Sequence, residues 1–158
     1  MHRYLITGAS SYPGKNLTTY LLDQGLDVHV LARPETKPER LAGKLKPNQI
    51  HAINGQTENI AEVIASIDPD VVFHLASIYR REASPADVQP LVDANILFGV
   101  QLCEALSQSG KQIRFINTGT FAQYYESKTP RALSLYAALK QAFDDILAYY
   151  RDAHGFLT

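Results

Sequence analysis

Stretches of strand period and stretches of helical period alternate along almost the whole chain, and this order restricts the fold more than any single residue does. Apolar runs of strand length fall at 3–7, 27–32, 49–54, 71–76 and 112–117, with helical patterns predicted at 14–24, 60–67, 86–108 and 135–153. Such alternation is the pattern of an α/β domain, a parallel sheet wrapped by helices. Gly25, Gly110 and Gly155 stand where helices should stop. The segments 34–47 and 77–85 read as loops, and no repeat or low-complexity tract interrupts them.

At 158 residues and 46% apolar composition the chain is long enough for one domain with a real core. A formal charge of -1 gives no electrostatic case for nucleic acid or a membrane surface. The lone Cys103 lies on the apolar stripe of a predicted helix, as a core thiol in a reduced compartment would. Met1-His2-Arg3 runs straight into strand-like sequence, which leaves no room for a signal peptide and makes the expected location cytoplasmic. The five histidines, His2, His29, His51, His74 and His154, lack ligand-like spacing, so no metal site is expected.

The first strand delivers Thr7-Gly8-Ala9-Ser10-Ser11-Tyr12-Pro13-Gly14 into a helix. Glycines at such a turn let backbone approach a pyrophosphate resting on the free amides of the helix N-terminus. Gly8 and Gly14 hold the outer places of a Gly-x-x-Gly-x-x-Gly spacing, and Ser11 replaces the middle glycine. Its hydroxyl is a candidate phosphate contact. Pro13 sits near the first helical turn, where it removes no useful hydrogen bond.

The most informative single motif is Tyr136-Ala137-Ala138-Leu139-Lys140, downstream of a strand that ends in Thr118-Gly119-Thr120. Residues four apart share a helix face, so the Tyr136 hydroxyl and the Lys140 ammonium are expected to point into one cleft. Tyrosine ordinarily releases its proton near pH ~10, and a fixed cation close by favours the phenolate. Tyr136 then becomes a usable proton shuttle. A hydroxyl from the strand end, best Thr120, is placed to hydrogen-bond a substrate oxygen whose charge changes. Asn95, on an apolar stripe, reads as a buried amide serving backbone groups. Tyr124 and Tyr125 suit either a sugar pocket or packing, and Asp144 and Asp145 read as a solvated helix face.

Together with Pro69-Asp70-Val71-Val72-Phe73-His74-Leu75-Ala76-Ser77 and Asp93-Ala94-Asn95-Ile96, these motifs cover nearly the whole chain. In them the chain resembles the extended short-chain dehydrogenase/reductases that act on nucleotide sugars, the epimerase/dehydratase/reductase family. The resemblance implies a Rossmann-like doubly wound parallel sheet with helices on both faces. It also implies that residues 1–158 form the NAD(P)-binding domain of a longer enzyme, with the later strands and a smaller substrate domain lying beyond Thr158. On this reading Thr120, Tyr136 and Lys140 are catalytic. The cofactor is held by Gly8, Ser10, Ser11, Tyr12, Pro13, Gly14, Arg33, Gln56, Leu75, Ala76, Ser77 and Thr118, together with Tyr136 and Lys140.

The second strand ends in Arg33 rather than an acid, which suits a 2′-phosphate and makes NADP the expected cofactor, with NAD the alternative. Phe121 and Ala122 follow Thr120, and neither can carry the proton a dehydratase needs. The expected activity is therefore reduction of a 4-keto sugar nucleotide; an epimerase with bound NAD, or a cofactor-binding sensor without turnover, are the alternatives. The two longest helices imply a homodimer by the same resemblance.

Overall fold

The computed structural model describes residues 2–158. Five strands, β1 (Arg3–Thr7), β2 (Asp27–Ala32), β3 (Ile50–Ala52), β4 (Val71–His74) and β5 (Arg114–Asn117), form one sheet of order β3-β2-β1-β4-β5. Every pairing is parallel. The helices are α1 (Tyr12–Asp23), α2 (Thr57–Ile67), α3 (Val88–Val92), α4 (Phe98–Ser107) and α5 (Leu135–His154). This is the Rossmann-like arrangement, and the strand order reverses between β1 and β4. Crevices for ligands open at the carboxyl ends of strands at such a point.

Successive strand residues face opposite sides, so the sheet has two cores. Leu5, Val72 and Phe115 pack with Ile60 and Ile64 of α2, Leu102 and Leu106 of α4, and Phe143 and Leu147 of α5. Ile6, Val28 and Val30 pack on the other side with Leu21 of α1. Each fully buried aliphatic side chain contributes about 1.5–3 kcal/mol. Cys103 is buried in the first core, where burial pushes its thiol far up and keeps it protonated.

Helix ends carry their expected signals. Ser134 caps α5 by accepting from Ala137 N–H at 3.2 Å, and Gly155 ends it in the left-handed conformation at φ 71°. Just beyond, Leu157 bridges Arg114 in parallel, its N–H donating to Ile113 O at 2.9 Å, so the sheet begins to extend past β5.

The single helix predicted over 86–108 is divided. A 3-10 turn (Pro85–Asp87) leads into α3, and a π turn (Asp93–Leu97) separates α3 from α4. The cause lies in Asn95, whose side-chain Nδ2 donates to Leu91 O at 2.9 Å and to Ile78 O at 3.0 Å. A side chain that claims the i−4 carbonyl competes with the helical ladder, and the widened π turn accommodates it. Asn95 thus serves backbone groups as expected, tying the loop after β4 to this helix.

Candidate active site

The carboxyl ends of the strands frame a cleft of about 840 Å³. Of the residues expected to hold a cofactor, Gly8, Ser10, Ser11, Arg33, Leu75, Ala76 and Ser77 line it. Tyr12, Pro13 and Gly14 form the first turn of α1 next to the lining, with Tyr12 exposed, and Gln56 caps α2 with its neighbours Asn54 and Gly55 facing the cleft instead. Thr118, Thr120, Tyr136 and Lys140 lie beyond this wall, around the end of β5 and the start of α5.

Backbone contact dictates the glycines. Gly8 has φ +69°, and a Cβ there would meet Ala76 N and Leu75 C at 2.7 Å. The chain after β4 therefore crosses directly over the β1–α1 turn, which is why strand pairing stops at His74 rather than at the predicted residue 76. A Cβ on Gly14 would meet Gly8 O at 2.2 Å. Ser11, in the usual glycine place, uses its hydroxyl within the turn: it donates to Gly8 O at 2.7 Å and accepts from Gly14 N–H at 3.1 Å. That closed turn presents the amino end of α1 to the cleft, an arrangement that favours an anion.

The register places Thr7 beside His74, and His74 beside Asn117, in one row at the carboxyl edge of the sheet. Ala76 N–H donates to Thr7 Oγ1 at 3.1 Å, and the same hydroxyl shares a hydrogen bond with His74 Nδ1 at 2.9 Å. His74 is neutral in this buried position. Its ring lies among those of Phe98, Phe115 and Phe143. Burial, with the Lys140 charge adding to it, pushes the imidazole down to about 3.

Lys140 is 2% exposed. Its Nζ donates to Asn117 Oδ1 at 3.5 Å, and Asn117 Nδ2 donates to Asp144 Oδ1 at 2.9 Å. Burial lowers the Lys140 pKa and the Asp144 carboxylate partly restores it. Asp144 is half-buried and hydrogen-bonded, which corrects its reading as part of a solvated face; Asp145, beside it, is exposed. Helical phase places the two aspartates on different sides of α5, and only the tertiary structure shows which side is covered.

Tyr136 precedes Lys140 by one helical turn, is half-buried, and meets the Tyr79 ring edge-on at 5.1 Å. Thr120 opens a 3-10 turn (Phe121–Gln123), with Oγ1 accepting from Ala122 N–H at 3.3 Å. Tyr124 and Tyr125 follow it, both substantially exposed.

Arg40 and Gln101 also line the cleft and escaped the sequence reading. Arg40 reaches it because a turn at Arg33–Thr36 and a 3-10 turn (Pro38–Arg40) fold the chain back; no local pattern announces that. Gln101 had a legible signal, a polar residue on the apolar stripe of α4. Its Nε2 donates to Gly55 O at 3.2 Å and Thr57 Oγ1 at 2.9 Å, which fixes the loop opposite α1. Arg33, mostly exposed, pairs with Glu35 at 3.2 Å.

With this geometry in hand, the family model described as the NAD dependent epimerase/dehydratase family matches residues 4–158. Among curated proteins, the chain is 30% identical over 166 residues to a GDP-mannose 4,6-dehydratase of Sordaria araneosa, covering 96% of the chain and 30% of that protein. It is 29% identical over 152 residues to a CDP-abequose synthase of Salmonella muenchen, covering 96% and 48%. The chain thus spans less than half the length of these curated relatives. Among solved structures, the UDP-glucose 4-epimerase of Thermus thermophilus in complex with NAD superposes with a TM-score of 0.84 at 27% identity, over 98% of this chain and 52% of that one.

Proposed function

Because the chain belongs to the NAD dependent epimerase/dehydratase family, we propose that it is the cofactor-binding half of an oxidoreductase acting on a nucleotide-linked sugar, with reduction of a 4-keto sugar as its reaction. The observation that carries this reading is the buried amine of Lys140, supported by Asp144 and set one helical turn from Tyr136. Burying a lysine is costly and contributes nothing to packing that an apolar residue would not. Its place beside the carboxyl end of β5 suits a cation that serves a tyrosine hydroxyl.

The residues present fit a dinucleotide. The Gly8–Gly14 turn is closed enough for backbone to approach a pyrophosphate, Ser10 and Ser11 face the cleft, and Leu75 to Ser77 line its opposite side. When bound, a nicotinamide supplies the hydride chemistry. Tyr136 donates the proton that the carbonyl oxygen needs as it becomes a hydroxyl, and Lys140 favours the phenolate that remains. Thr120 orients that oxygen through its hydroxyl. Phe121, 84% exposed, and Ala122 offer no acid for water elimination, which argues against a dehydratase.

Arg33 and Arg40 on the cleft wall support NADP, since guanidinium groups engage phosphate oxygens with paired donors. A second reading, an epimerase retaining NAD, is favoured by the likeness to the NAD complex and by the Glu35 carboxylate that already occupies Arg33.

The deciding experiment gives the full-length protein NADPH and a panel of 4-keto sugar nucleotides. NADPH oxidation that requires the keto sugar supports the reductase. Interconversion of two hydroxy sugars without net cofactor change establishes the epimerase and removes the reductase.

A further inference from the structure

We propose that Asp144 is a positioning residue that sets Thr120 and Lys140 relative to one another, an inference that rests on the catalytic roles proposed above. Its two carboxylate oxygens take different partners from two different segments. Oδ1 accepts from Asn117 Nδ2 at the end of β5, at 2.9 Å. Oδ2 accepts from Gln123 Nε2 in the turn after Thr120, at 2.7 Å.

A carboxylate can only accept, so both amides must offer it their nitrogen. Each amide oxygen is then turned the other way. Asn117 Oδ1 faces the Lys140 ammonium at 3.5 Å, and Gln123 Oε1 accepts from Thr120 N–H at 2.7 Å. One ionised group therefore reinforces the orientation of both amides from their nitrogen side, and through them joins Lys140 on α5 to Thr120 on the adjoining turn. The Gln123 side chain is 2% exposed, so water does not substitute for this contact.

The same carboxylate offsets the burial of Lys140, while the other buried ring facing it, His74 on β4, is neutral. Gln141 Oε1 also accepts from Gln123 Nε2, at 3.3 Å, and its own Nε2 donates to Asp145 Oδ1 at 3.2 Å, so the exposed Asp145 reaches Gln123 only through a second amide and longer bonds. Geometric errors in a catalytic pair are costly, with a misplacement near 1 Å worth about 10²-fold in rate.

The test compares Asp144→Asn, Asp144→Glu, Gln123→Leu and, as a control on an exposed aspartate of the same helix outside the network, Asp152→Asn, all in the full-length protein. Readouts are kcat and KM with NADPH and a keto sugar nucleotide, and the Lys140 titration followed by lysine side-chain NMR. Asp144→Asn should lower kcat by about 10-fold to 10²-fold with KM for NADPH nearly unchanged, and should move the Lys140 titration further down. Asp144→Glu should restore part of both, and Gln123→Leu should lower kcat while leaving the lysine titration in place. Asp152→Asn should match the wild type. If wild type shows no keto-sugar-dependent turnover, the functional reading fails, and the Lys140 titration alone judges the network. An unmoved titration in Asp144→Asn overturns the proposal, as does wild-type kcat in that variant or, should it not fold, in Gln123→Leu.

Discussion

Thr7 Oγ1 and His74 Nδ1 lie 2.9 Å apart at paired positions of β1 and β4, so the switch point of the sheet is closed by a side-chain hydrogen bond as well as by backbone pairing. The imidazole is buried in its neutral form, and this makes stability depend on pH. The folded imidazole is pushed down to about 3, whereas the unfolded one binds its proton near pH 6.5. Between those values the unfolded state holds more protons, so stability rises with pH and is lost as pH falls below 6.5. The slope from this one group is about 0.7 kcal/mol per pH unit at pH 6.5 and approaches about 1.4 by pH 5. Urea unfolding between pH 6.5 and 5, a window above most carboxylate titrations, should show that slope in the wild type and a shallower one in His74→Gln. Equal slopes would mean the buried histidine is not what the acid sensitivity reports.

Helices α4 and α5 approach closely at Gly99, where a Cβ would meet the Phe143 ring at 2.4 Å. That ring is fully buried between His74 and Phe115 and has no free direction in which to turn. Gly99→Ala should therefore destabilise the fold by about 1–3 kcal/mol despite the better helix propensity of alanine. Thermal unfolding measures it, and an unchanged or raised Tm would show that the helices can separate without cost.

On the proposed reading, cofactor choice depends on Arg33 and Arg40. Replacing either with alanine should weaken NADP binding about 10-fold and leave NAD binding within about 2-fold, because each removes a charge-assisted hydrogen bond to the 2′-phosphate alone. Glu35→Gln should act in the opposite sense on NADP by releasing Arg33 from its present partner. Calorimetric titration with both cofactors checks all three variants, and tighter NAD than NADP binding by the wild type would reverse the assignment.

Tyr136→Phe keeps the ring against Tyr79 and removes only the hydroxyl. Turnover of the full-length protein should fall by about 10²-fold or more with cofactor binding nearly intact. Wild-type turnover in this variant would assign the proton to another group.

Fold class and part of the lining of the cleft at the strand ends were legible because both depend on local chemistry. Residue types repeating at period two or near 3.6 determine which face of a strand or helix is buried, and a glycine turn between β1 and α1 follows from residues 7–14 alone. The one-turn spacing of Tyr136 and Lys140 belongs to the same kind of information. Tertiary structure alone decided the rest: the Thr7–His74–Asn117 row, the return of Arg40 to the cleft, the π turn around Asn95, and the covered side of Asp144. These features join residues far apart in sequence, 67 positions for Thr7 and His74 and 27 for Asn117 and Asp144. Each is a hydrogen bond or close approach whose partner is supplied by strand register and helix docking. No periodicity within one segment encodes that partner, because burial pattern says only that a side chain turns inward, and packing decides what it meets there.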